Sequence, residues 1–418
     1  MEHEAEVLII GGGAIGICCA HYLREQGKEV TVVEKGQVCS GASYGNAGLI
    51  VPSYSIPLAA PGVILQCLKW LPDPENPFYI KPSLRPALLS WMWKFRGACN
   101  DRHVRRSIPV LHGLTFQSLR LFEELAGMQG LHFGFEKKGL LDLFRTTAEL
   151  EEGKKAFSLL QAFGIEGDVL GKAELAELTG GLRTSAVGAI FSRGDAHLVP
   201  DQFVKQLAGH AAEQGVRLAT STEVIGFEAS GRRVTRVHTT RGDISAEEVI
   251  VAGGAWSPQI ARDLHIRLMI EPAKGYSVTF KIPERFPQIP CNLAEAKVVL
   301  TPMGDMVRFS GTLELAGFDQ SINRRRVGAV LKTVPAYLPD LEPGNMEIIE
   351  IWQGLRPCTP DGLPYIGRPR PYDNVIVAAG HGMLGISLAP ATGKIVSQLA
   401  TGKTPFMDLF PLRIERFS

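Results

Sequence analysis

Gly11, Gly13 and Gly16 stand at GxGxxG spacing, and Glu34 follows about twenty residues later. Glycines so spaced let a chain turn tightly, approach a pyrophosphate with bare backbone, and pack a helix closely on a strand. A helix starting at such a turn aims free N–H groups at phosphate oxygens. An acid at the end of the next strand can bond a ribose 2′-hydroxyl and repels a 2′-phosphate. Together these residues point to a bound dinucleotide other than NADP.

A second chemical signal lies far downstream in "GLRPCTPDGLPYIG", Gly354 to Gly367. Arg356 sits where an apolar strand, "MEIIEIWQ", gives way to turn chemistry. A guanidinium stays ionised and carries five donors in a rigid fork. If buried, it needs an anion. Either Asp361 supplies it or a ligand carboxylate does, held by both arms of the fork. The seven cysteines, Cys358 among them, form no CxxC pair and no Cys/His cluster of zinc spacing, so no metal site is expected. Scattered thiols suit a reducing compartment.

The elements that must hold these residues can be read from periodicity. "EVLIIGGGAIGICCAHYLREQGKEVTVVEK" is strand, glycine turn, helix and strand: Val7–Ile10 is a buried-strand run, and Ile15, Cys18, Cys19, Tyr22 and Leu23 recur at helical spacing. Ser40 to Gly62 has no period and reads as a loop. Residues from about Gln66 to Arg183 read as mostly helical, with "FEKKGLLDLFRT" as a strand pair. A helix and several strands end in a second strand–glycine element, "VIVAGGAWSP". "IEPAKGYSVTFKI", "AKVVLTPMGDMVRFSGTLEL" and "MEIIEIWQGLRP" alternate as antiparallel strands, and "SINRRRVGAVLKTVPAYLP" reads as a helix between the last two. "NVIVAAGHGMLGISLAPATGKIVSQLATG" closes the chain as strand, glycine turn and helix.

With 418 residues, 45% hydrophobic, the chain can build two or three domains, or one with a large insertion. Lys+Arg 44 against Asp+Glu 43 leaves no basic excess for nucleic acid. Apolar runs are strand-sized rather than membrane-length. The start, "MEHEAEVLII", is acidic and lacks a secretory pattern, so a cytoplasmic protein is expected.

"IIGGGAIGICCAHYLREQGKEVTVVE", "VIVAGGAWSP" and "AAGHGMLGISLAPATGKIVSQL" occur in the order and rough spacing of the D-amino-acid oxidase family of flavoproteins, which the chain resembles over nearly its whole length. "NAGLIVPSYSIPLAAPGVILQCLKW", "PFYIKP" and "WMWKF" are similar to its D-amino-acid dehydrogenase branch. The resemblance implies an α/β fold. A discontinuous Rossmann-like FAD-binding domain (1–65, 190–265 and 350–418) would interleave with an α+β substrate domain on an antiparallel sheet (66–189 and 266–349). It implies oxidation of a D-amino acid, or of a cyclic imino acid such as D-proline or D-hydroxyproline. Hydride would pass from Cα to flavin N5, and electrons to a quinone or other acceptor.

The same resemblance assigns roles. Gly11, Gly13, Gly16 and Glu34, with Ala14, Ile15 and Lys35 beside them, would hold FAD, as would Ser43, Asn46, Ala47, Gly48 and Leu49 in the loop, Val224 near adenine, Gly254, and the turn Gly382, Met383, Leu384 and Gly385. Arg356 would pair with the substrate carboxylate; Tyr276, Tyr54 and His381 are further candidates at the reacting centre, with Lys274 a solvated neighbour of Tyr276. Cys358 lies off the spacing of a covalent flavin link, so non-covalent FAD is expected. "VILQCLKWLP" and "LLSWMWKFR" read as core or domain-contact helices, or else as a peripheral contact with the inner face of a membrane. A glycine or sarcosine oxidase, a 2-hydroxyacid flavin dehydrogenase and a non-catalytic flavoprotein subunit stay open as alternatives. The sequence sets no oligomeric state.

Overall fold

The computed structural model describes residues 3–70, 75–82 and 85–417. Two sheets organise them. In the first, strands Val375–Ala379, Ile244–Val251, His3–Ile10, Val30–Val33 and Arg217–Ala219 lie side by side and parallel. Each is short and nearly all apolar where it crosses the centre, as a strand covered on both faces must be. The His3–Ile10 strand registers Val7 on Val30 and Ile10 on Val33 on one side, and Ile10 on Val251 on the other. Tyr365–Gly367 adds an antiparallel edge beside Val375–Ala379.

Helix Ala14–Glu25 lies against this sheet, with Ile17, Cys18, Cys19, Tyr22 and Leu23 buried. It ends at Gln26, and Gly27 follows in a left-handed conformation (φ 81°). The C-terminal helix Ala389–Ala400 packs on it so closely that a Cβ at Gly393 would lie 2.6 Å from the carbonyl carbon of Cys18. The long helix Asp101–Ala126 joins the same layer, where Ser118 Oγ accepts from the Ala391 N–H at 3.1 Å and Val110, Leu111 and Leu114 enter the core.

The second sheet runs Ile348–Cys358, Glu271–Lys281, Met306–Leu315, Val298–Met303, Cys291–Leu293, Leu140–Phe144, Gly188–Ser192 and Gly167–Leu170. Phe78–Ile80 pairs beside Met306–Leu315. Helix Arg324–Thr333 covers one face, joining Tyr276, Val278 and Phe309 in a core with Val327 and Val330.

Several expectations change. "FEKKGLLDLFRT" is not a strand pair: Leu140–Phe144 pairs with Gly188–Ser192 and Cys291–Leu293, while Glu136 makes only an isolated bridge to His197. The cause is that its partners lie outside the local sequence. Strands Gly188–Ser192 and Ile348–Cys358 belong wholly to the second sheet, so divisions at 190 and 350 fall inside strands. Helix Asp101–Ala126, placed by the sequence in the substrate domain, packs on the first sheet's layer. Helix Val63–Trp70 buries no side chain, contrary to its reading as a core helix. Leu71 and Pro72 of "VILQCLKWLP", and Met1 and Glu2 of the N-terminal stretch, lie outside the described residues.

Candidate active site

The glycine turn is built for close approach. Gly11 adopts φ 118°, and a Cβ there would meet the Ala252 carbonyl oxygen at 2.5 Å. A Cβ at Gly16 would lie 1.9 Å from the Gly11 oxygen. Gly13 caps the first helix without a side-chain bond, so the helix N-terminus stays open to an anion; Ala14 N–H donates to Ser43 Oγ at 3.1 Å. Glu34 is oriented by the N–H groups of Gly12 and Gly36, each 2.8 Å from its carboxylate. These residues fit an adenosine diphosphate: bare backbone for phosphates and a fixed acid for ribose. Ile15 packs partly buried behind the turn, and Val224 begins the strand beyond Glu34. Lys35 is exposed and reaches Glu223 at 3.4 Å. Gly254 (φ 57°) opens the turn after Ile244–Val251.

The loop after Glu34 is clamped from both sides. Buried Arg308 donates to the carbonyls of Tyr44 (3.1 Å) and Asn46 (2.9 Å), and Asn46 Oδ1 accepts from Gly48 N–H at 2.8 Å. Gly48 needs its φ of 73°, and a Cβ would strike the Leu198 oxygen at 2.2 Å. Leu49–Ile50 pairs with Ala196–His197, and Ser387 Oγ bridges the Leu49 carbonyl (2.8 Å) and Val51 N–H (3.2 Å). Ser387 thereby ties this loop to the C-terminal turn, where Gly382–Leu384 forms a single 3₁₀ turn and Gly385 follows.

Loop, turn and second sheet enclose one cavity of about 1030 Å³, which Asn46, Ala47, Leu49, Tyr54, Arg356, His381, Gly382, Met383 and Leu384 all line. Its size exceeds an amino acid and suits a flavin ring plus substrate. Gly385, Ser43, Gly48 and the nucleotide-turn residues lie outside that lining.

Arg356 is the cavity's fixed cation. Its Nη1 donates to the Thr312 carbonyl at 2.8 Å, and no carboxylate pairs with it among the described residues. Burial lowers its pKa from the usual guanidinium value, with Cys358 partly offsetting that. Asp361 instead pairs with Arg416, Oδ2 to Nε at 2.7 Å and Oδ1 to Nη2 at 3.1 Å. The guanidinium lies across Gly275, where a Cβ would stand 1.9 Å from Nη1. The Cys358 thiol is buried and its pKa is pushed up to about 12, mainly by desolvation, which makes it a poor nucleophile toward a flavin.

The other candidates separate. Tyr276, next to Gly275 on its strand, also lines the cavity. Its hydroxyl donates to Glu314 (3.0 Å) and accepts from Asn323 N–H (3.4 Å), away from the Arg356 guanidinium. Lys274 is not solvated: it is 1% exposed, donates to the Ser321 carbonyl at 3.0 Å, and lies 3.3 Å from Asp319 and 3.6 Å from Glu314. His381 is buried with Nε2 3.0 Å from Thr392 Oγ1, and desolvation lowers its pKa to about 3. It is neutral near pH 7 and too weak a base to hold a substrate proton. Tyr54 does face the cavity, its hydroxyl 3.0 Å from Asp142.

Sequence reasoning passed over Asp142, Asn292, Gly275 and Thr312. The acid in "LLDLF" was the legible clue: a lone carboxylate inside a buried apolar strand asks for a reason.

An open helix start, a ribose acid and a clamped loop beside a cavity walled by the second sheet are the features of a flavin-binding oxidoreductase. The chain belongs to the family of FAD dependent oxidoreductases, which matches residues 6–399. It is 32% identical to a D-amino acid dehydrogenase of Granulibacter bethesdensis, over 99% of each chain, and 34% identical to one of Methylobacterium nodulans, over 96% of each. Among solved structures it resembles glycine oxidase from Geobacillus kaustophilus at TM-score 0.81 and 27% identity, covering 100% of both chains. FAD is accordingly the cofactor.

Proposed function

We propose that this protein is an FAD-dependent dehydrogenase of D-amino acids, cyclic imino acids included, that passes electrons to a quinone-type acceptor. One observation carries the reading: a half-buried arginine without a carboxylate partner among the described residues, lining the cavity beside the flavin loop. A substrate carboxylate completes it through two charge-assisted hydrogen bonds. That pairing fixes how Cα is presented. A cationic guanidinium and a desolvated cavity together disfavour the substrate's ammonium form, so the amine binds neutral. Bound FAD supplies the two-electron acceptor for the hydride leaving Cα. The resulting imine hydrolyses in water after release.

Full-length similarity to D-amino acid dehydrogenases supports the D configuration. The cavity volume favours substrates larger than glycine. The weakly basic His381 speaks against a hydroxyacid reaction that relies on it to take a hydroxyl proton. A quinone-type acceptor is supported by the cavity mouth: helices Val63–Trp70 and Pro86–Ala98 border it with exposed Leu68, Leu89, Met92 and Trp93, and neither helix contains an acid.

The test is anaerobic mixing of the flavin-loaded protein with D- and L-amino acids, D-proline, D-hydroxyproline, glycine and sarcosine. Bleaching of the yellow flavin by D-amino or D-imino acids is expected. Arg356→Leu should raise the half-saturating concentration about a hundredfold, the loss of a charge-assisted pair. A flavin that stays oxidised with every amine would falsify the reading.

A further inference from the structure

The cavity has a second polar end. From the edge, the sheet runs Ile348–Cys358, Glu271–Lys281, Met306–Leu315, Val298–Met303, Cys291–Leu293, Leu140–Phe144. The Arg356 guanidinium crosses Gly275 on the second strand and reaches Thr312 on the third. Asp142 stands on the sixth. Register sets Asp142 level with Asn292, Val299 and Ser310, two residues along from Thr312, so three strand spacings and that offset put about 16 Å between the two ends.

Asp142 is half occupied. Its Oδ1 accepts from Tyr54 Oη at 3.0 Å and Asn292 Nδ2 at 2.6 Å. Its Oδ2 receives no hydrogen bond from the described residues, and Asp142 lines the cavity. Burial raises the pKa of this carboxyl despite both hydrogen bonds and the field of Lys297, which also lines the cavity. The site is thus an acid held in place by neutral donors, with a lysine acting on it by charge but no cation hydrogen-bonded to it among the described residues. Between the two ends the wall is mixed: the row from Asp142 runs through Asn292, Val299 and Ser310, all of which line the cavity.

We infer that Asp142 is a specificity-determining residue that receives an ω-amino or guanidinium group at the end of a long substrate side chain. An extended lysine measures about 7 Å from carboxyl carbon to terminal nitrogen. Two charge-assisted contacts of about 3–4 Å bring the span to about 14 Å for lysine and about 16 Å for the longer arginine, comparable to the separation available. Methylenes then pass over Val299. Tyr54 acts on substrate through Asp142, and buried Asp195 fixes Tyr54 in turn by accepting from the Ser53 N–H (3.1 Å) and hydroxyl.

This inference rests on the amino-acid reading of the site, and the two can fail separately. The flavin-loaded enzyme is reduced anaerobically by D-lysine, D-arginine and D-norleucine, which is lysine without its terminal nitrogen, and D-lysine binding is measured by calorimetry. Wild type should reach half-saturation with D-lysine at a concentration about tenfold or more below that for D-norleucine. Asp142→Asn should erase that advantage while leaving D-norleucine within about twofold and the limiting reduction rates unchanged; Asp142→Glu should restore part of it. Equal half-saturation for D-lysine and D-norleucine in wild type overturns the subsite alone. So does an equal loss for both substrates in Asp142→Asn with an unchanged melting temperature. Calorimetric D-lysine binding that needs Asp142, without any flavin reduction, keeps the subsite and overturns the amino-acid reading.

Discussion

Two arginines near the end of the chain carry opposite lessons. Arg416 and Asp361 are both nearly sealed from solvent and fully engaged with each other, and Arg416 also stacks 3.8 Å over the Tyr365 ring. Removing one member strands the other, so Arg416→Leu should cost about 3–5 kcal/mol in chemical unfolding, with half-saturation by substrate hardly moved. Arg356 has no carboxylate to strand among the described residues. Arg356→Leu removes a desolvated charge, so stability should hold or rise slightly while substrate binding collapses. The pair of variants separates a structural cation from a functional one by which measurement moves. Arg356 was legible in sequence because a permanent charge beside an apolar strand demands an anion. Its partner was not: Asp361 is five residues away, and only the fold brings Arg416, fifty-five positions on, to claim it. Tyr276 lines the cavity, but its hydroxyl is engaged by Glu314 and Asn323, partners that only the fold brings to it. Residue type marks a strand, but which face meets the ligand depends on what covers the other, here the Arg324–Thr333 helix.

At the level of elements, position on a strand matters more than identity. Gly275 leaves the space in which the Arg356 guanidinium lies, and the clash a methyl would create is with the far end of a flexible side chain. Gly275→Ala should therefore fold with near-normal stability, yet push the guanidinium off its place and raise half-saturation by about tenfold or more; unchanged kinetics would mean that Arg356 does not bind there. Nothing in the sequence distinguishes this glycine from a hairpin or bulge glycine, because the pairing of Ala273 with Arg356 across two distant strands creates its role. The nucleotide turn is the reverse case: strand, glycines, helix and acid are contiguous, so the whole element could be read directly. Helices Val63–Trp70 and Pro86–Ala98 make a further test. Leu65 (66% exposed) and Trp93 (69%) stand out into solvent next to Lys69, Lys94 and Arg96. Such a face suits an anionic lipid surface. Leu65→Glu with Trp93→Glu should lower co-sedimentation with phosphatidylglycerol vesicles about tenfold and leave reduction by amino acids in solution unchanged. Equal sedimentation of wild type and variant would leave these two helices without a membrane role.

For the whole molecule, the buried ionisable groups set the pH at which the fold is most stable. His21, His197 and His381 are desolvated, with pKa values lowered to about 4, 4 and 3. The unfolded chain takes up these protons near pH 6.5 and the native fold does not. Their contribution is therefore intact above that value and lost progressively as pH falls toward 4. Asp195 works the other way. Burial raises its carboxyl to about 8, against the pull of the Ser53 hydrogen bonds, so the native state keeps a proton that the unfolded chain releases near pH 4. Its contribution is complete below pH 4 and drains away as pH rises to 8. Between pH 4 and 6.5 three histidine protons oppose one aspartate proton, and stability climbs with pH. Above 6.5 the histidines fall silent and the decline comes from Asp195, joined by Asp142, Glu248 and Glu271, whose carboxyls burial also raises; Asp195 alone contributes about 1.4 kcal/mol per unit, about 2 kcal/mol by pH 8. Chemical unfolding of the flavin-loaded enzyme across this range should peak near pH 6.5. Asp195→Asn keeps an acceptor for the Ser53 N–H and a donor for its hydroxyl but cannot ionise. It should flatten the alkaline decline and leave the acid limb in place. An alkaline decline of the same slope in that variant would show that another buried group, not Asp195, governs stability above neutrality.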